Sequence, residues 1–87
     1  MSLLKDKVCV ISGGAGSIGL ASAKRFVAEG ARVMLIDLPG EALDEAAKAL
    51  NSNKVMGFAA DVSDAKQVQS AFEKVNQTWG KLDVIVS

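Results

Sequence analysis

The sequence predicts an α/β fold, a doubly wound parallel sheet built in the order β-α-β-α-β-α-β. Three observations carry this. Four short apolar runs, Lys7–Ser12, Arg32–Asp37, Lys54–Asp61 and Leu82–Ser87, alternate with three segments of helical character. Runs this short, without polar alternation, suit strands buried on both faces. The connections are short, and regular alternation of the two element types implies parallel strands with helices on both faces.

Each element has its own local reason. The first run, "KVCVIS", stops at the glycines of "ISGGAGSIG" (Ile11–Gly19). From Ser17 to Glu29 the chain carries Ala, Leu, Lys, Arg and Glu, which are good helix formers. Gly30 can close that helix. "RVMLID" is the second strand, and Pro39 and Gly40 break it with a turn. "EALDEAAKALN" then places Leu43, Ala46, Ala47 and Leu50 at helical spacing. The third strand, "KVMGFAAD", is weakened by Gly57. Ser63 or Asp64 can cap the next helix. Val68, Ala71, Phe72, Val75 and Trp79 form its apolar stripe, and Gly80 ends it. "LDVIVS" is the fourth strand. The expected strand order is 3-2-1-4.

Composition narrows the function classes. The 87 residues make one small domain at most, or part of a larger one. Ten basic and ten acidic side chains cancel, which leaves no basic footprint for nucleic acid. A single cysteine, Cys9, and no histidine exclude a disulfide framework and remove the commonest metal ligands. Cys9 lies mid-strand and is expected to be a buried, inert thiol. No run approaches the roughly 20 apolar residues of a membrane span. A soluble, cytoplasmic protein with no membrane contact is the expectation.

The glycines sit where the first strand meets the first helix. A helix N-terminus offers free N–H groups and the positive end of a dipole, so it attracts phosphate. Glycine lets the backbone turn sharply and approach that phosphate closely. Gly14-Ala15-Gly16-Ser17-Ile18-Gly19 matches G-x-G-x-x-G between a strand and a helix. Gly19 is expected to permit close helix–strand packing. Asp37 follows about 20 positions on, at the end of the second strand, where a carboxylate can bond both hydroxyls of an adenosine ribose. It would repel a 2′-phosphate, and the glycine loop offers no Arg or Lys to compensate. The pattern points to NAD over NADP. Arg32 begins the same strand at its other end and should not reach that ribose.

These residues resemble the short-chain dehydrogenases/reductases. The compact branch of that family carries T-G-x-x-x-G-[IL]-G, which reads here Ser12-Gly13-Gly14-Ala15-Gly16-Ser17-Ile18-Gly19. Ser12 replaces the threonine and keeps its hydroxyl. Ser17 stands where the middle glycine is usual, and Gly16 sits one place earlier. That spacing also fits the larger branch, T-G-x-x-G-x-x-G, which includes sugar-nucleotide epimerases. "AADVSD" (Ala59–Asp64) resembles the compact branch's D-V-[TS]-D segment, and "WGKLDVIVS" (Trp79–Ser87) its G-x-[IL]-D-x-L-V-N segment. The resemblance implies a Rossmann fold with Asp61 on the adenine amino group and Val62 against the ring. It also implies a structural role for Asp83. Asp64 reads as a helix cap. The implied cofactor-binding set is Gly13, Gly16, Ser17, Ile18, Asp37, Leu38, Asp61 and Val62.

The resemblance places this chain at about the first third of a family subunit, as part of a larger domain that stops near the fourth strand. The family's catalytic serine, tyrosine and lysine lie beyond Ser87, and this chain has no tyrosine. No catalytic and no metal-binding residue is therefore expected here. The reading that follows is the NAD-binding segment of an oxidoreductase acting on an alcohol or ketone, of hydroxyacyl or hydroxysteroid type, homo-oligomeric when whole. A non-catalytic dinucleotide-binding module and a fragment of a sugar-nucleotide epimerase or dehydratase are the alternatives.

Overall fold

The computed structural model describes residues 3–87. The elements are β1 (Val8–Ser12), α1 (Ser17–Ala28), β2 (Arg32–Asp37), α2 (Glu41–Leu50), β3 (Val55–Ala59), α3 (Ala65–Trp79) and β4 (Val84–Val86). The four strands form one sheet in the order β3-β2-β1-β4, as expected from the sequence. All three pairings are parallel, with Val10 opposite Met34 and Ile85, and Leu35 opposite Gly57.

Alternate residues of the central strands serve opposite faces of the sheet. Cys9 and Ile11 of β1 join Val33 and Leu35 of β2 beneath Ala23 of α1 and Leu43 and Ala46 of α2. Val8, Val10, Met34 and Ile36 meet Ala71 and Val75 of α3, with Phe72 and Trp79 at the margin. Both faces are covered, so neither strand tolerates polar alternation. Val33, Met34 and Leu35 are completely buried. Burial of one such side chain contributes roughly 1.5–3 kcal/mol relative to leaving it exposed. Cys9 is buried as expected; loss of solvent, and then the negative charge of Asp83, push its thiol pKa up.

Several boundaries differ from the sequence reading. The first strand begins at Val8 and the first helix ends at Ala28, with Glu29 as its terminal cap residue. The third run yields a strand only from Val55 to Ala59. Beyond it, Asp61 turns back on Ser63: its Oδ1 accepts from the Ser63 amide at 2.9 Å and the hydroxyl at 2.6 Å. The fourth run yields only Val84–Val86. Just before it, Asp83 clasps Val8: its amide donates to the Val8 carbonyl at 2.9 Å, and its Oδ2 accepts from the Val8 amide at 2.8 Å. This is the structural role expected for Asp83. Asp64, not Ser63, caps α3, accepting from the amides of Lys66 and Gln67.

β4 is an outer strand. Val84 and Val86 pack on the α1–α2 side, whereas Ile85, on the α3 side, is 59% exposed. Among the described residues no helix is long and apolar enough to cross a membrane.

Two outcomes follow from this packing. A Cβ at Gly14 would stand 2.7 Å from Leu35 Cβ and 3.0 Å from Leu35 Cα. Leu35 is buried in a central strand and has nowhere to move. Gly14→Ala is expected to cost about 1–3 kcal/mol through overpacking, read as a lower urea midpoint. The Val8 amide, assisted by Lys81 at 3.3 Å, holds the Asp83 carboxyl below its ordinary value. A lowered folded pKa gives stability that is complete above the usual carboxylate range and lost as pH falls through the folded value. Asp83→Asn should therefore be less stable than the parent near neutrality, with the gap closing in acid. A pH-independent gap in thermal midpoints would contradict that.

Candidate functional site

The site lies at the carboxyl ends of β1, β2 and β3, where α/β sheets place their ligands. β1 stops at Ser12, whose hydroxyl donates to the Val86 carbonyl at 3.4 Å. Gly13 then adopts φ +69, a conformation that side chains disfavour, and the space where its Cβ would stand is open. The Gly14 amide donates to the Ile36 carbonyl at 3.0 Å, and the Gly16 amide to the Gly13 carbonyl at 3.0 Å. A Cβ at Gly19 would collide with that Gly13 carbonyl. Gly19 thus lets α1 sit directly on the loop, as its spacing predicts.

The N-terminus of α1 differs from the other two. Its cap residue is Gly16, which makes no side-chain cap, and no acidic residue lies in its first turn. By contrast, α2 begins with Glu41 and Asp44, and α3 is capped by Asp64. The first amides of α1, Ser17, Ile18 and Gly19, have no partner inside the helix. No side chain of α1 itself answers the positive end of its dipole; the Asp37 carboxylate bonds the Ala15 amide just before it, and the remaining free amides favour an anion.

Beside this terminus lies a cleft of about 250 Å³ lined by Gly13, Ile36, Asp37, Leu38, Ala60, Asp61 and Val62. Asp37 is half-buried at its edge. Its Oδ2 accepts from the Ala15 amide at 3.0 Å and its Oδ1 from the Leu38 amide at 2.8 Å. An ionised carboxylate has about four acceptor positions, so each oxygen keeps one for a ligand. Asp61 also lines the cleft, with Oδ1 engaged by Ser63. Those bonds, hydroxyl first and amide second, hold its pKa below the ordinary carboxylate value. Leu38 and Val62 are 60% and 57% exposed, apolar surface beside a polar pair.

Five of the residues named from the sequence, Gly13, Asp37, Leu38, Asp61 and Val62, therefore meet in one cleft. Gly16, Ser17 and Ile18 do not line it; they stand at the adjoining terminus of α1, with Ile18 83% exposed. Arg32 is at the far end of β2, 3.6 Å from Asp6, and cannot reach Asp37. Ile36, Ala60 and Ala15 were not singled out in the sequence. The first two precede Asp37 and Asp61 at strand ends, and that position was the available signal. Ala15 contributes a backbone amide, which leaves no mark on residue type.

A family model described as short chain dehydrogenase matches residues 7–87. The chain belongs to this family. It is 42% identical over 84 residues to human (Homo sapiens) 3-hydroxyacyl-CoA dehydrogenase type-2, covering 97% of this chain and 32% of that protein. Among solved structures, the 3-ketoacyl-(acyl-carrier-protein) reductase of Brucella melitensis complexed with NADH superposes with TM-score 0.88 at 30% identity, over 94% of this chain and 33% of that one. NAD+-bound xylitol dehydrogenase superposes with TM-score 0.88 at 31% identity, over 95% and 33%. This short-chain dehydrogenase segment thus spans about a third of the length of the relatives it matches.

Proposed function

We propose that residues 1–87 are the cofactor-binding part of a larger NAD-dependent oxidoreductase domain acting on an alcohol or ketone. The observation that carries this is the placement of Asp37, at the edge of the cleft, directly beside the uncapped α1 terminus. The terminus suits a pyrophosphate and the carboxylate a ribose diol. The residues fit the group: a Cβ at Gly13 would fill the space a phosphate needs, while Asp37 and Asp61 each retain acceptor capacity. The relatives named above are dehydrogenases and a reductase, which favours this reading over an epimerase.

In this reading the pyrophosphate lies along the loop from Gly13 to Ile18, over the open space at Gly13 and against the free amides of Ser17 and Ile18, since those of Gly14, Ala15 and Gly16 are already bonded within the protein. Asp37 accepts from the ribose hydroxyls while Leu38 flanks them. Asp61 accepts from the adenine amino group, with Val62 against the ring. The nicotinamide ring, when bound, supplies the hydride chemistry. This chain binds and orients. Proton transfer to or from the substrate oxygen belongs to residues outside it, since the 87 contain neither tyrosine nor histidine.

Asp37 selects NAD. A 2′-phosphate would lie against its carboxylate, and Leu38, Pro39 and Gly40 provide no cation there. Asp37→Ala is expected to weaken NAD binding roughly 10- to 150-fold and to narrow the preference over NADP, since a hydrogen bond to a charged group contributes about 1.5–3 kcal/mol. Isothermal titration with both dinucleotides measures this; an unaltered preference would remove the ribose assignment. Gly13→Val should reduce affinity for both dinucleotides alike, because it fills the phosphate approach and strains φ. Wild-type affinity in that variant would place the pyrophosphate elsewhere.

A further inference from the structure

Asp61 does not stand alone at the cleft wall. Three side chains brace it and the turn that carries it. Ser63 occupies Oδ1 with both its hydroxyl, at 2.6 Å, and its amide, at 2.9 Å. Gln67, in the first turn of α3, reaches back so that its Oε1 accepts from the Asp61 amide at 2.8 Å. The other end of the same amide group donates from Nε2 to Asp64 Oδ2 at 3.0 Å. Asp64 Oδ1 in turn caps α3 by accepting from the amides of Lys66 and Gln67. The carboxamide orientation is determined by its partners: reversed, it would set an NH₂ against an N–H and an oxygen against a carboxylate. Asp61 Oδ2 accepts nothing from the described residues.

We infer that Ser63 and Gln67 are positioning residues that tie Asp61 to the N-terminus of α3 and so set the cofactor site's discrimination for adenine. The inference rests on the proposed adenine contact of Asp61 and adds what makes that contact selective. One carboxylate oxygen is held by Ser63, and the other is left for the exocyclic amino group. Gln67 fixes the backbone from which Asp61 projects. A carboxylate free to rotate accepts through either oxygen but must be ordered on binding, which weakens the amino contact and with it the preference for an amino donor. Both braces lie on the surface, where water competes, so the effect is modest.

The test compares NAD+ with nicotinamide hypoxanthine dinucleotide, in which a carbonyl replaces the adenine amino group. The ratio of their dissociation constants is measured by calorimetry on the intact protein, for the parent, Ser63→Ala, Ser63→Thr, Gln67→Leu and Asp61→Ala. The parent is expected to prefer NAD+. Ser63→Ala and Gln67→Leu should each lower that preference roughly two- to fivefold. Ser63→Thr should restore it, and Ser63→Ala should have no further effect in an Asp61→Ala background. A purely structural role would weaken both dinucleotides equally and leave the ratio intact. That result, or an undiminished preference in both variants, overturns the positioning role while sparing the adenine contact. A parent that does not discriminate overturns the adenine contact itself, and the positioning role with it.

Discussion

The structure depends on the close approach of the glycine loop to β2. Gly14 lies against Leu35 with no room for a single methyl group, and its amide bonds the Ile36 carbonyl at 3.0 Å. One residue later the Ala15 amide bonds Asp37 at 3.0 Å. Three consecutive residues of β2 are thereby held to two consecutive residues of the loop. The N-terminus of α1 and the carboxylate of β2 become parts of one rigid corner. Neither the helix nor the strand could place them together alone.

That corner sets a carboxylate beside the amide end of α1. The free amides favour negative charge, and Asp37 stands next to them with two backbone amides already bonded to its oxygens. At Asp61 the bonds to Ser63 stabilise the ionised form and leave one oxygen unclaimed. Both carboxylates keep about half of their acceptor positions open.

The two sheet faces are unequal. On the α1–α2 side, the packed cluster reaches across to Val84 and Val86 of β4. On the α3 side it stops at β1, and Ile85 remains exposed. Asp83 compensates locally by clasping Val8 through backbone and side chain together, which keeps a three-residue strand in register. The carboxylate thus adds to the β1 ladder and to the packing of Val84 and Val86 in holding a short outer strand.

Element type, order and the strand sequence 3-2-1-4 were all legible from apolar runs, helical stripes and glycine stops, because these are local signals with a fixed period. The glycine loop and Asp37 were legible because a strand, a tight turn and a helix leave a spacing in the chain. Strand ends were not. The third apolar run reaches Asp61, two residues past the end of β3 at Ala59, and the fourth begins at Leu82, two residues before β4 starts at Val84; at these margins Asp61 bonds Ser63 and Asp83 bonds Val8. The contributions of Ala15, Ile36 and Ala60 were equally hidden, since a backbone amide or a strand-end methyl carries no residue signature. Local sequence sets which segments become strands and helices and puts a glycine turn and a carboxylate at a fixed spacing along the chain. Packing of the folded chain sets which residues share a cleft and which acceptor positions stay open. Those depend on contacts between residues far apart in the chain, which no local pattern encodes.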